Sequence, residues 1–207
     1  MAGLVVTLIT ALLAILLGSA DPCPNGCIET DRWRYALTTA DVEWFARTLN
    51  CEVASVLGTD DADATAWALV QNFARRRDLG RTESFGDFVA AYSGCTSRKW
   101  TTGGSRYSPR ITPLADANRA TRYGDLPKRV RDYAADFMRG AVPNRWPGLV
   151  YVWTHGWEQY ADPHAIGPYY AATHGPHSRN AYYADKATLA WTVGTVRIVP
   201  ATEGTDP

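Results

Sequence analysis

The chain carries no surplus of charge: Lys and Arg number 21, and so do Asp and Glu. Without a net field, neither nucleic acid nor an anionic surface is attracted to the protein as a whole, which argues against a nucleic-acid partner. No His-Glu-x-x-His stretch is present, so the two-histidine helix of a zinc peptidase is missing. The four histidines, His155, His164, His174 and His177, all lie in the last quarter, with Gly175-Pro176 between the last two. No repeat of fixed period is visible, which removes solenoids and propellers. No Lys or Arg precedes the first apolar run, although a secretory signal normally begins with one.

That run is the first feature present. Ala2 to Ala20 contains no charged residue, and Leu4 to Leu17 is densely apolar. Gly18-Ser19-Ala20 offers small residues where a signal peptidase cuts. The same stretch, at 1.5 Å per residue, also suffices to span a bilayer core of about 30 Å. Residues 1–20 therefore read as a transmembrane anchor or a signal segment, the missing basic residues favouring the anchor, and the rest of the chain is expected outside the cytosol. Residues 21–37 read as a linker and 201–207 as a tail. The remainder, 38–200, suits one domain with its own core.

Four cysteines, Cys23, Cys27, Cys51 and Cys95, all follow the apolar run. In an oxidising compartment they make two disulfides with three possible pairings. Cys23–Cys27 with Cys51–Cys95 is the preferred set, because the first two flank a Pro-Asn-Gly turn. A metal reading of Cys-x3-Cys lacks a second Cys/His pair at matching spacing.

Thr38 with Asp41 forms a capping signature, and apolar residues recur at Val42, Phe45, Leu49, Val53 and Val56 until Gly58. A second helix is expected from Asp60–Asp63 to the run Arg75-Arg76-Arg77. Ser84 with Asp87 caps a third, stopped by Gly94. From Thr96 to Gly124 the composition turns to Thr, Gly, Ser, Pro and Arg, which predicts a long loop of the kind that lines binding clefts. A fourth helix follows, with Asp125 as cap, Pro127 in its first turn and Gly140 at its C-terminal end. Short strands are expected at Leu149–Trp153 and Thr192–Val199. The fold class is mainly α (α+β), with a loop-rich, aromatic-rich C-terminal part and the N-terminal hydrophobic helix in front. The chain's eight Trp and eleven Tyr suit a packed core and equally suit stacking on sugar rings.

Two glutamates sit differently on the first helix. With Phe45 at zero and about 100° per residue, Leu49 lies near 40°, Val56 near 20°, Val42 near 60°, Glu52 at about −20° and Glu43 at about 160°. Glu43 is on the solvated face, whereas Glu52 borders the apolar stripe. A carboxyl there loses hydration, so its pKa rises and it keeps a proton near neutral pH. Glycosidic cleavage needs such a proton donor. A glutamate paired with a buried Arg, or one at a helix end reaching water, is the structural alternative.

Residues 44–53 (WFARTLNCEV) and 67–75 (WALVQNFAR) resemble the core of phage-type lytic transglycosylases and of the related spore-cortex cell-wall hydrolases, which are lysozyme-like. Residues 85–93 (FGDFVAAYS), then Arg98-Lys99-Trp100, are similar to the stretch lining the glycan cleft there, and residues 143–148 (PNRWPG) to a recurring closing segment. The resemblance spans about residues 38–150. It implies a lysozyme-like domain, cleavage of the MurNAc–GlcNAc bond of peptidoglycan, Glu52 as catalytic residue, and Gln71, Tyr92, Ser93 and Tyr107 as glycan contacts, with no cofactor or metal. Two departures both introduce cysteine: Cys51 stands where the family often has Gly, and Gly94-Cys95 where it often has Gln-Pro. A Cys51–Cys95 bridge would tie the catalytic helix to the cleft-lining helix.

A muramidase that adds water needs a second carboxylate. Asp60, Asp61, Asp63 and Asp87 are available, yet each also fits helix capping. A lytic transglycosylase needs one carboxyl, because the sugar's own 6-hydroxyl closes a 1,6-anhydro ring, and the single well-placed Glu favours it. Two other classes stay open: a zinc-dependent amidase or peptidase using the four histidines, and a non-catalytic glycan-binding or virion structural protein using aromatics such as Trp146, Tyr151, Trp153, Trp157, Tyr182 and Tyr183. The expected partners are peptidoglycan glycan strands and, through residues 1–20, a membrane. Both a bacterium remodelling its wall and a virus with an internal membrane fit that pairing.

Overall fold

The computed structural model describes residues 23–96, 111–154, 165–166, 180–185 and 196–201. The N-terminal apolar run lies outside these residues, and among them no helix is long and apolar enough to cross a membrane. The described part is mainly helical, with two small antiparallel sheets.

Residues 23–37 are not a linker. They form a hairpin of β1 (Cys27–Glu29) and β2 (Arg34–Ala36), and β6 (Arg197–Val199) pairs with the other edge of β1. Ile28 thereby faces Tyr35 on one side and Ile198 on the other, and both Ile28 and Leu37 are buried. Gly26 makes the entry possible: its φ is +87°, and a Cβ there would meet the Met138 carbonyl oxygen at 2.3 Å. Strands of three residues are too short to show a period-two pattern, and the partner strand is remote in sequence, which is why composition alone suggested a linker.

Helix α1 (Thr39–Glu52) opens as expected. Thr38 Oγ1 accepts from Asp41 N–H, and Asp41 Oδ2 accepts from Thr38 N–H at 2.8 Å, a reciprocal capping box. Asp41 reaches further than a surface cap. It is buried, and its carboxylate also accepts from Tyr35 OH and from the Gly86 N–H at 2.5 Å. One carboxylate therefore joins the hairpin, α1 and the start of α3 (Phe85–Tyr92). Ser84 caps α3 by accepting from Asp87 N–H.

Helix α2 (Asp60–Asp78) is buried almost without a break from Ala64 to Ala74, as befits a central helix. Its acidic first turn and its Arg75–Arg77 last turn both suit the helix dipole. Phe73 of α2 packs edge-on against Phe85, with ring centroids 5.2 Å apart, and Phe137 contacts both Phe45 and Trp67. Phe137 lies on α5 (Lys128–Met138), and α1 packs chiefly on α3 and α5. The cap of α5 is Pro127 instead of Asp125, which closes a separate 3-10 turn at Tyr123–Asp125.

The expected loop 96–124 contains a helix, α4 (Ile111–Ala120). Pro113 falls in its first turn, where a missing N–H costs nothing. Only Ala115 and Asn118 of its described side chains are buried, so the hydrophobic pattern is too sparse to announce it. The second sheet runs β3 (Tyr151–Thr154), β5 (Asn180–Asp185), β4 (Ala165–Ile166), close to the predicted strand at 149–153. It is fastened to α2 by Tyr182, whose hydroxyl donates to Asp61 Oδ1 at 2.6 Å and lies 2.9 Å from Thr65 Oγ1.

Candidate active site

Glu52 is the last residue of α1. The helix stops there and does not run on to Gly58: Val53 caps it with N–H to the Leu49 carbonyl, and a 3-10 turn follows at Ala54–Val56. Val53, Ser55 and Val56 are weak helix formers, and Val53 is buried against the core, which stabilises the break. Val56 therefore leaves the helical phase, but Glu52 keeps its position one turn beyond buried Leu49. At a helix C-terminus the carboxylate also faces the negative end of the peptide dipoles.

The Glu52 side chain meets the turn that follows α3. Ser93 Oγ donates to Glu52 Oε1 at 2.5 Å, and the Cys95 N–H donates to Ser93 Oγ at 3.0 Å. The second bond occupies a lone pair of the hydroxyl and leaves its hydrogen for the carboxyl. The Cys51–Cys95 disulfide closes the same circuit from the other side, and Cys23–Cys27 is also formed, both as paired from the sequence. Glu52 remains reachable from solvent although protein crowds it closely. These describe one situation, a carboxyl that a ligand can touch but that bulk water hydrates poorly. Burial pushes its pKa above the usual carboxylate range, and the Ser93 hydrogen bond opposes this with a smaller effect.

The other acids weighed from the sequence are engaged elsewhere. Glu43 pairs with Arg47 one turn away. Asp60 pairs with Arg145 at the surface, Asp61 accepts from Tyr182, Asp63 accepts from Tyr133 OH at 2.6 Å, and Asp87 sits in the α3 cap. Among the described residues, burial and Ser93 are the influences on Glu52, and no second carboxylate charge acts on it.

Gln71 does not face the carboxyl. It is fully buried, and its amide donates to the Trp146 and Leu149 carbonyls at 3.0 and 2.9 Å. Its oxygen accepts from Gly148 N–H and Asn144 Nδ2. All four polar positions are used to hold the 144–149 segment, so the glycan contact expected of Gln71 has no free atom to make it. Tyr92 is half-buried, stacks on Phe88 at 5.2 Å and donates to the Val150 carbonyl at 3.4 Å. Tyr107, the Arg98-Lys99-Trp100 segment and the four histidines lie outside the described residues. Among the described residues no group of three or more His, Cys, Asp or Glu gathers as a metal site.

Sequence reasoning missed the backbone N–H of Cys95, which carries no residue-type signal, and the Tyr182–Asp61–Thr65 cluster, whose members are far apart in sequence. What the arrangement can do chemically is hold one carboxyl at the surface, protonated to higher pH than usual, beside a fixed hydroxyl. None of the known family models, curated proteins or solved structures compared with the chain matches it.

Proposed function

We propose that this chain is a peptidoglycan lytic transglycosylase with a lysozyme-like domain, cleaving the MurNAc–GlcNAc bond with Glu52 as its single acid and base. The supporting observation is the Glu52–Ser93 pair: an exposed carboxyl with a raised pKa, one hydrogen-bonded hydroxyl, and no second carboxylate charge acting on it among the described residues. The order of the resembling segments along the chain agrees with this reading.

In the first step the Glu52 carboxyl gives its proton to the glycosidic oxygen as the C1–O bond breaks, leaving a muramyl oxocarbenium ion and the carboxylate. Ser93 stabilises that carboxylate while it waits. In the second step the carboxylate takes the proton of the muramyl 6-hydroxyl as its oxygen bonds to C1, closing the 1,6-anhydro ring and restoring the acid. No water is consumed. The chain would work outside the cytosol, anchored through residues 1–20 or released from them, on a bacterial wall or from a virion with its own membrane.

Mass analysis of muropeptides released from purified sacculi tests the reaction. Products 18 Da lighter than reducing muropeptides are expected, the mass of the water not added. Reducing ends would make the enzyme a hydrolysing muramidase, and no release would overturn both.

A further inference from the structure

The Cys51–Cys95 bridge lies directly beside the candidate acid. Cys51 precedes Glu52 directly. Cys95 follows Ser93 by two residues, and its own N–H is the group that orients the Ser93 hydroxyl. The backbone of Cys51 and Glu52, the disulfide, the Cys95 N–H and the Ser93 hydroxyl thus form one closed circuit. The two segments that it joins both lie at helix ends. α1 ends at Glu52, and α3 ends at Tyr92, so neither segment continues as a helix through the contact. The Cys95 side is held from behind by α4: Asn118 Nδ2 donates to the Cys95 carbonyl at 3.2 Å, and Arg119 to the Thr96 carbonyl at 2.9 Å. α4 therefore fixes the turn, and the bridge fixes the acid to the turn.

The two disulfides also differ in access. Cys23 and Cys27 are buried, whereas Cys51 and Cys95 are partly exposed. Thiol–disulfide exchange requires a thiolate to reach a sulfur atom, so a soluble dithiol meets the bridge at the site first.

We propose that the Cys51–Cys95 disulfide is a positioning device for Glu52, and that a reducing environment switches the site off by opening this bridge while the fold persists. The inference rests on the reading of Glu52 as acid and base. A dithiol supplies two electrons and two protons. The S–S bond breaks, Cys51 and Cys95 each become a thiol, and the dithiol closes to its own disulfide. With the circuit open, the Glu52 side chain leaves Ser93 for solvent and loses both its orientation and its poor hydration. A chain still in a reducing cytosol would be silent, and one exported to an oxidising space would be competent.

The test uses the full chain, oxidised and after titration with dithiothreitol, together with a Cys51→Ser/Cys95→Ser variant. Alkylation and mass mapping report which bridge opens, near-ultraviolet circular dichroism reports the fold, and 13C-glutamate NMR reports the Glu52 titration without needing turnover. The expected result is opening at Cys51–Cys95 first, an unchanged fold, a fall in kcat of about 10²-fold with KM little changed, and recovery on re-oxidation. The Glu52 pKa should drop toward the ordinary range, because lost burial outweighs the lost Ser93 bond. Unchanged kcat and titration in the reduced chain would overturn the proposal. Global unfolding of both the reduced chain and the variant would also overturn it, since the bridge would then serve stability. An oxidised chain that releases no muropeptides would instead remove the reading of Glu52, and the NMR titration would still decide whether the bridge positions the carboxyl.

Discussion

Replacing Gln71 by Leu separates two roles for that residue. The side chain makes four hydrogen bonds in the core, to the Trp146 and Leu149 carbonyls, the Gly148 N–H and the Asn144 amide. At about 1 kcal/mol net for each neutral bond, their loss amounts to about 4 kcal/mol. Leucine has nearly the same size, and its buried apolar surface offsets about 1–2 kcal/mol of that. The expected destabilisation is therefore about 2–3 kcal/mol, which lowers Tm by about 5–10 °C in a domain of this size. Urea unfolding followed by tryptophan fluorescence measures it, and the slope m should not change if the denatured state is unaltered. Since Gln71 holds the 144–149 segment with every polar atom of its amide, KM should stay near wild type at temperatures where the variant is folded. A loss of stability below about 1 kcal/mol together with a raised KM would refute the reasoning and return Gln71 to the glycan.

Three more outcomes follow from particular contacts. Tyr182→Phe removes the hydroxyl that joins Asp61 and Thr65 to the second sheet and should destabilise by about 2–3 kcal/mol in chemical denaturation, because one of those bonds is charge-assisted. Gly26→Ala forces a Cβ to within 2.3 Å of the Met138 carbonyl at positive φ, so a loss of about 3 kcal/mol or more is expected, and a neutral result in the same assay would mean the hairpin is not part of the core. Glu52 is protonated in both states below the unfolded pKa of 4.5, while between that value and its raised folded pKa only the unfolded chain releases the proton, so stability falls as pH rises through this window. Glu52→Gln lacks this loss, so in urea titrations it should be more stable than wild type at pH 7, with the gap closing near pH 4.

The starts of α1 and α3 were legible because capping is local: Thr38 with Asp41 and Ser84 with Asp87 each complete their signature within four residues, whereas the expected cap Asp125 closes a 3-10 turn ahead of α5. Glu52 was legible for a related reason, since its place one turn after Leu49 needs nothing beyond the period of the helix. The same period misled at Val53 and Val56, which are apolar because they face the core from the cap of α1 and from the 3-10 turn that follows it. The hairpin at 23–37 was hidden because its third strand lies near the other end of the chain. Helix α4 was hidden because its described side chains dock through Asn118 and Arg119 to backbone carbonyls, with Ala115 the one buried apolar residue among them. Gln71 shows the limit of reading polar residues beside a candidate site: a buried amide that satisfies a loop and one that binds a sugar look identical in sequence.

The central claim is that the Glu52 carboxyl moves the proton. Muropeptide release from purified sacculi by the wild-type chain and by Glu52→Gln, measured side by side, tests it directly. Glutamine keeps the shape and can still accept from Ser93 but cannot donate an acidic proton, so the rate of 1,6-anhydro product formation should fall by about 10²–10⁴-fold with the fold intact. Cleavage by Glu52→Gln within about tenfold of wild type would contradict the account and move the chemistry to another residue.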